Sequence, residues 1–119
     1  MTFKNFITQS GVLLMVHFLQ LCLFHLHNAP KLPSVSMSPS AEIVEGSSVT
    51  LTCSSDANPA AYYTWYKKNG DPDLRPLSKE PQLVFSSIQS SDSGEYYCTA
   101  ENELGRKMSK YIYINVTCE

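Results

Sequence analysis

Cysteines are the residues of this chain whose chemistry has the widest consequences. Four are present among 119 residues. Cys22 lies in an apolar N-terminal stretch, which leaves Cys53, Cys98 and Cys118 in the remainder. Cysteine pairs persist as disulfides only in oxidising compartments, so their pairing bears on where the protein works. An odd number also means that one thiol remains after any pairing.

Two other sets of residues could carry chemistry. Asp92 precedes Ser93, but the chain has no histidine after residue 27 that could activate a serine nucleophile. The three histidines, His17, His25 and His27, cluster near the N-terminus without a matching set of further ligands. The sequence therefore predicts no enzyme, no metal site and no cofactor.

The N-terminal segment differs in composition from the rest. Only Lys4 is charged in residues 1–29, and residues 11–24 are mostly Leu, Val, Phe and Met. This pattern resembles a secretory signal peptide and is shorter than the roughly 20 residues that a membrane-spanning helix needs. We expect a signal peptide over 1–29 and one domain over 30–117. Residues 118–119 are then a C-terminal end, which truncation of a longer chain would explain.

Charge excludes one class of partner. Without Lys4 the formal net charge changes from −2 to −3, and the charged residues are interspersed rather than grouped. Nucleic-acid binding normally needs a basic patch or stripe. We therefore expect no nucleic-acid partner.

The scaffold that must position these residues has a known signature. Six residues carry it: Cys53, Trp65, Asp92, Gly94, Tyr96 and Cys98. Their spacing is typical of an immunoglobulin domain, in which each cysteine lies on one of two packed sheets, the tryptophan covers the bridge and the tyrosine anchors a corner. This likeness implies an all-β, immunoglobulin-like antiparallel β-sandwich with one inter-sheet disulfide, Cys53–Cys98.

Alternation of apolar and polar residues supports that fold. The inward positions are Val49, Leu51, Cys53, Tyr63, Trp65, Leu83, Phe85, Ile88, Tyr96, Cys98, Ala100, Ile112, Ile114 and Val116. Turns are expected at 69–72 and 102–105. Leu83 lies only 18 positions after Trp65, too close for the extra strand pair of variable-type domains, so we expect a C2-type or I-type sandwich.

Four tyrosines are expected on the outer face of one sheet: Tyr66, Tyr97, Tyr111 and Tyr113. Tyrosine is enriched at protein-binding surfaces because it combines a large apolar ring with a polar tip. The set could thus be a recognition face. It could also consist of cross-strand pairs that stabilise an exposed sheet, which is the interpretation we prefer from sequence.

Two residues near the C-terminus are candidates for covalent modification. Asn115 begins the glycosylation sequon Asn-Val-Thr and is expected to point outward. An unused sequon is the alternative. Cys118 could form an intermolecular disulfide and so a covalent dimer, bond to a missing neighbouring segment, or mark the end of a fragment. Truncation is the preferred explanation.

Several longer stretches resemble a particular group within the immunoglobulin superfamily. They are 29–33 (APKLP), 44–53 (VEGSSVTLTC), 65–67 (WYK) and 91–98 (SDSGEYYC). Over about residues 29–117 the chain resembles the repeated C2-type domains of fish B-cell receptors of the sialic-acid-binding immunoglobulin-like lectin (Siglec) group. The resemblance implies an extracellular adhesion or immune-receptor domain whose partner is a cell-surface protein or glycoprotein.

The same resemblance argues against one ligand. In that group, sialic acid pairs with an arginine on strand F of an N-terminal variable-type domain, the strand that carries the second cysteine, whereas residues 96–101 here read YYCTAE. We expect no direct binding of sialic acid. Two alternatives to a binding domain stay open: a spacer in a tandem receptor, and a secreted single-domain decoy linked through Cys118.

Overall fold

The computed structural model describes residues 27–68 and 75–118. Nine strands form within these ranges: β1 (Ser34–Ser38), β2 (Ile43–Val44), β3 (Val49–Ser54), β4 (Tyr62–Lys67), β5 (Gln82–Phe85), β6 (Gly94–Asn102), β7 (Gly105–Met108), β8 (Ile112–Ile114) and β9 (Val116–Thr117). A 3₁₀ turn at Ser90–Asp92 precedes β6. The turn expected at 69–72 and most of the expected signal peptide lie outside the described residues.

One sheet contains β1, β3 and β5 in that order, all antiparallel. Its central strand β3 alternates as the sequence predicts: Val49, Leu51 and Cys53 are buried, while Thr50 and Thr52 are partly exposed. In an antiparallel sheet with one face on a core, this period of two places every second side chain inside. β3 therefore supplies three of the buried side chains of the domain.

The second sheet is built around β6, which pairs with β4 on one side and with β7 and β8 on the other. Trp65 lies opposite Cys98, and Tyr66 lies opposite Tyr97. Adjacent residues of β6 consequently face opposite sides of the sheet. One side of this sheet meets the core and the other is the outer face that the tyrosines were predicted to occupy.

The end of the chain is divided more finely than the sequence predicts. Alternation over 112–116 suggests a continuous last strand, but this stretch is divided at Asn115 into β8 and β9. The pairing with β6 is also broken earlier, because it stops at Met108 in β7 and resumes in β8. Ser109 causes the break, because its hydroxyl accepts from the Cys98 N–H at 2.9 Å and donates to the Lys110 carbonyl at 2.9 Å. β9 then leaves β6 and pairs in parallel with β2.

The two sheets enclose one core. Its buried members are Ile43, Val49, Leu51, Cys53, Trp65, Leu83, Ile88, Tyr96, Cys98, Ile114 and Val116. Cys53 and Cys98 form the predicted disulfide across the sheets, with their Cα atoms 6.4 Å apart. Trp65 is fully buried, and its indole Nε1 donates to the Pro81 carbonyl at 3.0 Å. The immunoglobulin-like β-sandwich expected from the sequence is thus confirmed.

The connection from β4 to β5 contains no strand in its described part, residues 75–81. This segment instead runs back alongside β4. The backbone N–H of Trp65 donates to Ser78 at 2.9 Å, and that of Leu77 donates to Trp65 at 2.8 Å. These two bonds hold the segment against the edge of the second sheet.

The N-terminal segment joins the domain before the expected boundary at residue 30. Asn28 and Asn58 exchange two backbone hydrogen bonds, of 2.6 and 3.1 Å. The buried Asn102 amide donates to the carbonyls of Asn28, at 2.8 Å, and Pro59, at 3.0 Å. A buried amide needs such partners to offset its lost hydration. The packing of the described chain therefore begins at Asn28.

Candidate functional site

The corner between the two sheets is a structural site. The Tyr96 hydroxyl donates to the Asp92 backbone carbonyl, while the Asp92 carboxylate accepts from the Gln89 N–H at 2.8 Å. Gly94 has φ +148°, and a Cβ there would lie 2.9 Å from the Lys67 side chain. Burial, and then the Asp92 charge, raises the pKa of Tyr96 to about 12. Asp92 and Tyr96 are thus occupied in holding the corner.

Ser93 and the histidines were the other residues considered for chemistry from the sequence. Ser93 accepts a hydrogen bond from the Val116 N–H at 3.0 Å, so its hydroxyl ties β9 to the corner. Within 27–68 and 75–118, no group of three or more His, Cys, Asp or Glu could hold a metal ion. His27 is exposed, and His17 and His25 lie outside these ranges. The described ranges also contain no helix that could cross a membrane.

The outer face of the second sheet carries the four predicted tyrosines, which we call the tyrosine face: Tyr66, Tyr97, Tyr111 and Tyr113. Tyr97 stacks on Tyr66 with ring centroids 5.3 Å apart and meets Tyr111 edge to face at 5.5 Å. Such aromatic pairs stabilise a sheet beyond the area they bury. Three of the four tyrosines therefore form a cross-strand cluster.

Exposure divides the tyrosine face in a way that the sequence does not predict. Tyr97 lies on the outer face as expected, but only 8% of it is exposed because the rings of Tyr66 and Tyr111 cover it. This burial is the main cause that raises the pKa of Tyr97. Tyr111 and Tyr113 are 43% and 63% exposed. The accessible rings thus lie on β8 and in the segment before it.

One exposed tyrosine was missed by the sequence reasoning. Tyr62 opens β4 and is 80% exposed, the highest value among the large apolar and aromatic side chains of the described residues. It lies four residues before Tyr66, which was assigned to the outer face. The same alternation, extended by one step, would have found it.

Two ion pairs flank the tyrosines. At one end, Lys68 lies 3.4 Å from Glu95 and 4.8 Å from the centroid of the Tyr111 ring. At the other end, Arg106 lies 3.8 Å from Glu101. Exposed pairs of this kind contribute little to stability. Their consequence is electrostatic, because each pair balances its own charge and leaves the face close to neutral.

Between the large side chains lies a shallow depression, the threonine groove. Its volume is about 220 Å³, and it is lined by Tyr62, Thr64, Tyr66, Thr99, Glu101 and Arg106. Thr64 and Thr99 are direct cross-strand neighbours, and their small side chains form the floor between larger rows. The sequence reasoning missed Arg106. The tight turn at 103–104 gives its position, because it places Arg106 opposite Glu101.

The two candidates for modification are both accessible. Asn115 is exposed in the gap between β8 and β9. The hydroxyl of Thr117, the third residue of the sequon, donates to the Ile43 carbonyl at 3.1 Å in the folded domain. Cys118 is an exposed free thiol. Glycosylation of Asn115 and oxidation of Cys118 stay predictions.

The architecture and the corner are those of an immunoglobulin domain. The family model described as "Immunoglobulin domain" matches residues 31–116, and the chain belongs to this family. Among solved structures, the second Ig-C2 domain of human Fc-receptor like A superposes with a TM-score of 0.57 and 26% identity, covering 73% of this chain and 98% of that one. A C2-type relative thus shares the fold.

Proteins with similar sequences include adhesion molecules and a B-cell receptor. Rat vascular cell adhesion protein 1 is 41% identical over 68% of this chain and 11% of its own length. Mouse B-cell receptor CD22 is 37% identical over 65% of this chain and 9% of its own. The chain thus spans about a tenth of the length of these relatives, and each of them is similar to it over one segment only.

Proposed function

We propose that this chain is an extracellular recognition domain of a cell-surface adhesion or immune receptor and that it contacts a cell-surface protein or glycoprotein through the outer face of β4, β6, β7 and β8. The observation that carries the proposal is the exposure of three tyrosines there: Tyr62, Tyr111 and Tyr113 are 80%, 43% and 63% exposed. Aromatic residues concentrate in the contact regions of protein interfaces.

The type of receptor is a finer part of the proposal. We assign the domain to a Siglec-like B-cell receptor with several immunoglobulin domains, and the likeness to mouse CD22 supports this. The higher identity to rat vascular cell adhesion protein 1 supports an adhesion receptor in the wider sense. Residues 96–101 of β6 offer no arginine, so the proposal includes no direct binding of sialic acid.

A spacer role is the second candidate. The observation that favours it is the covering of Tyr97 by Tyr66 and Tyr111, because rings used in this way stabilise the sheet and are not free to contact a partner. On this reading the domain holds a more distal domain away from the membrane and its faces bind nothing specific.

The two candidates differ in what the exposed tyrosines do. A Tyr62→Ser, Tyr113→Ser double variant removes two exposed rings and leaves the cluster around Tyr97 intact. The matched control is Val84→Ser, on the outer face of β5, where the valine is 57% exposed. Binding of the secreted, fluorescently labelled domain to leukocytes is measured by flow cytometry, and near-UV circular dichroism verifies folding.

We expect the double variant to bind more than tenfold more weakly, since two aromatic contacts at the centre of an interface are worth at least about 1.4 kcal/mol. Val84→Ser should bind like the wild type. Equal binding by all three folded proteins would contradict the tyrosine face, and the absence of any binding by the wild-type domain would favour the spacer.

The signal peptide, the Asn115 glycan and an intermolecular Cys118 disulfide belong to the same proposal. An N-terminal signal peptide, a glycan on Asn115 and an intermolecular disulfide through Cys118 all fit an extracellular protein. The intact mass of the secreted chain, before and after enzymatic deglycosylation, tests the first two. Migration on a non-reducing gel tests the third, and a purely monomeric band would contradict it.

A further inference from the structure

The threonine groove presents polar groups that the protein itself does not use. The hydroxyls of Thr64 and Thr99 form no hydrogen bond within the described part of the chain, although Thr99 is only 4% exposed. In this part of the chain, every side-chain oxygen or nitrogen that is fully buried has a hydrogen-bond partner. The unbonded Thr99 hydroxyl is therefore accessible, and it reaches solvent through the groove that Thr99 lines. Largely buried hydroxyls normally have partners. Here the partner must come from solvent or from a ligand.

The charges at one end of the groove select against ionic ligands. Glu101 and Arg106 lie 3.8 Å apart, with side chains 57% and 55% exposed. An anionic ligand would meet the carboxylate and a cationic one the guanidinium, so either gains little. The carboxylate only accepts hydrogen bonds and the guanidinium only donates them. A neutral ligand with hydroxyl groups, which both donate and accept, satisfies the two together.

The lining of the groove is mainly polar, and two tyrosine rings lie beside these polar groups. Tyr62 and Tyr66 lie on either side of Thr64 along β4 and present ring surface next to the threonine hydroxyls. A pyranose has the matching pattern, with C–H groups on its ring faces and hydroxyls at its edge. An extended peptide lacks this match, because β4 and β6 are paired with each other and offer no free edge at the groove floor.

Size limits how much of a ligand the groove can hold. Its volume of about 220 Å³ lies below the roughly 300–1,000 Å³ of pockets that enclose drug-sized ligands. A single sugar ring is a fragment of suitable size, with the rest of a glycan outside. A groove that buries one ring with few hydrogen bonds gives weak binding, with a dissociation constant in the millimolar range.

We infer that the threonine groove binds one neutral pyranose residue of a cell-surface glycan. The inference rests on the proposed recognition function and names the ligand class of one part of that face. Glu101 accepts from one sugar hydroxyl and Arg106 donates to another. Thr64 and Thr99 bond the remaining hydroxyls at the floor, and the sugar C–H face lies against a tyrosine ring.

Saturation-transfer NMR on the full secreted chain tests the inference. The probes are the methyl glycosides of galactose, glucose, mannose and N-acetylglucosamine, with N-acetylneuraminic acid as the anionic comparison. We expect saturation transfer to at least one neutral glycoside, strongest at its ring C–H protons, and a weaker response from the anionic sugar. Transfer only to the anionic sugar, or to none of the probes, would overturn the inference.

Two pairs of variants localise the binding. Thr99→Val removes the floor hydroxyl at nearly constant volume, and Thr52→Val makes the same change on the other sheet. Arg106→Gln removes one charge at the groove, and Lys107→Gln removes one on the next residue of β7. We expect about tenfold weaker binding of the responding glycoside by Thr99→Val and Arg106→Gln, which corresponds to one lost hydrogen bond, and no change in the controls.

Equal binding by all four folded variants would place the sugar elsewhere and contradict the groove. The wild-type domain is tested for leukocyte binding in parallel. Cell binding without any response to the glycosides would overturn the sugar ligand and leave the proposed recognition function standing. If the wild-type domain neither binds cells nor responds to the glycosides, both the sugar ligand and the proposed recognition function are contradicted.

Discussion

The two faces of the β4–β6 sheet use the same residue type in different ways. Tyr96 and Tyr97 are neighbours in sequence, and both are largely covered. Tyr96 faces the core, where its hydroxyl bonds the Asp92 carbonyl. Tyr97 faces outward, where the rings of Tyr66 and Tyr111 cover it and its hydroxyl has no hydrogen bond in the described part of the chain. Tyr96 thus depends on a specific hydrogen-bond partner, whereas Tyr97 is held by ring packing.

The inner face should therefore be the more sensitive to mutation, and the disulfide gives the largest test. Replacing both Cys53 and Cys98 by alanine opens a loop of sequence separation 45. Loss of this constraint should destabilise the domain by about 4 kcal/mol, a large part of the stability of a domain this small. We expect little folded protein in the medium, measured by quantitative immunoblotting. Cys118→Ser, which leaves the bridge intact, should be secreted like the wild type.

The two neighbouring tyrosines give the most direct comparison. Tyr96→Phe removes the corner hydrogen bond and leaves the Asp92 carbonyl unpaired, which should cost about 2 kcal/mol. Tyr97→Phe keeps the ring contacts and removes a hydroxyl without a protein partner, so the free energy of unfolding should change by less than about 0.5 kcal/mol. Urea denaturation measures both. Equal losses in the two variants would contradict the distinction between the faces.

Alkaline pH sharpens the same comparison. Tyrosine titrates near pH 10 in the unfolded chain, while burial and then the Asp92 charge raise the pKa of Tyr96 to about 12 in the domain. The folded state therefore keeps its proton longer, and stability should fall as the pH rises from about 10 to about 12. Urea midpoints over this range should fall more steeply for the wild type than for Tyr96→Phe. Parallel curves would exclude Tyr96 as the source.

The fold could be predicted because its determinants are local and periodic. The spacing of Cys53, Trp65 and Cys98 and the period of two in each strand define which residues lie inside. The break at Ser109 could not be predicted in this way. It arises from hydrogen bonds of one side chain with the backbone of Cys98 and Lys110, which alternation does not describe.

Which tyrosines lie on the outer face could be predicted from the sequence, but how exposed each of them is could not. Alternation assigns Tyr66 and Tyr97 to one face, but the covering of Tyr97 depends on ring geometry between three strand regions. The threonine groove depends in the same way on register, since Thr64 must lie opposite Thr99 and Arg106 opposite Glu101. Register across strands is set by turns and by the whole sheet, so it follows from sequence only where a turn is recognised.

The parallel pairing of β2 with β9 has a mechanical consequence. Tension applied to the two chain ends would pull these strands in opposite directions along their length, so their bonds resist in shear and share the load. The Glu45 N–H bonds Thr117 at 2.9 Å, and the Thr117 hydroxyl bonds Ile43 at 3.1 Å. In a domain held under tension, this pair would carry the force once β1, which precedes β2, has separated from β3. Single-molecule extension of a Glu45→Pro variant, which lacks the N–H that bonds Thr117, would show its contribution as a lower rupture force.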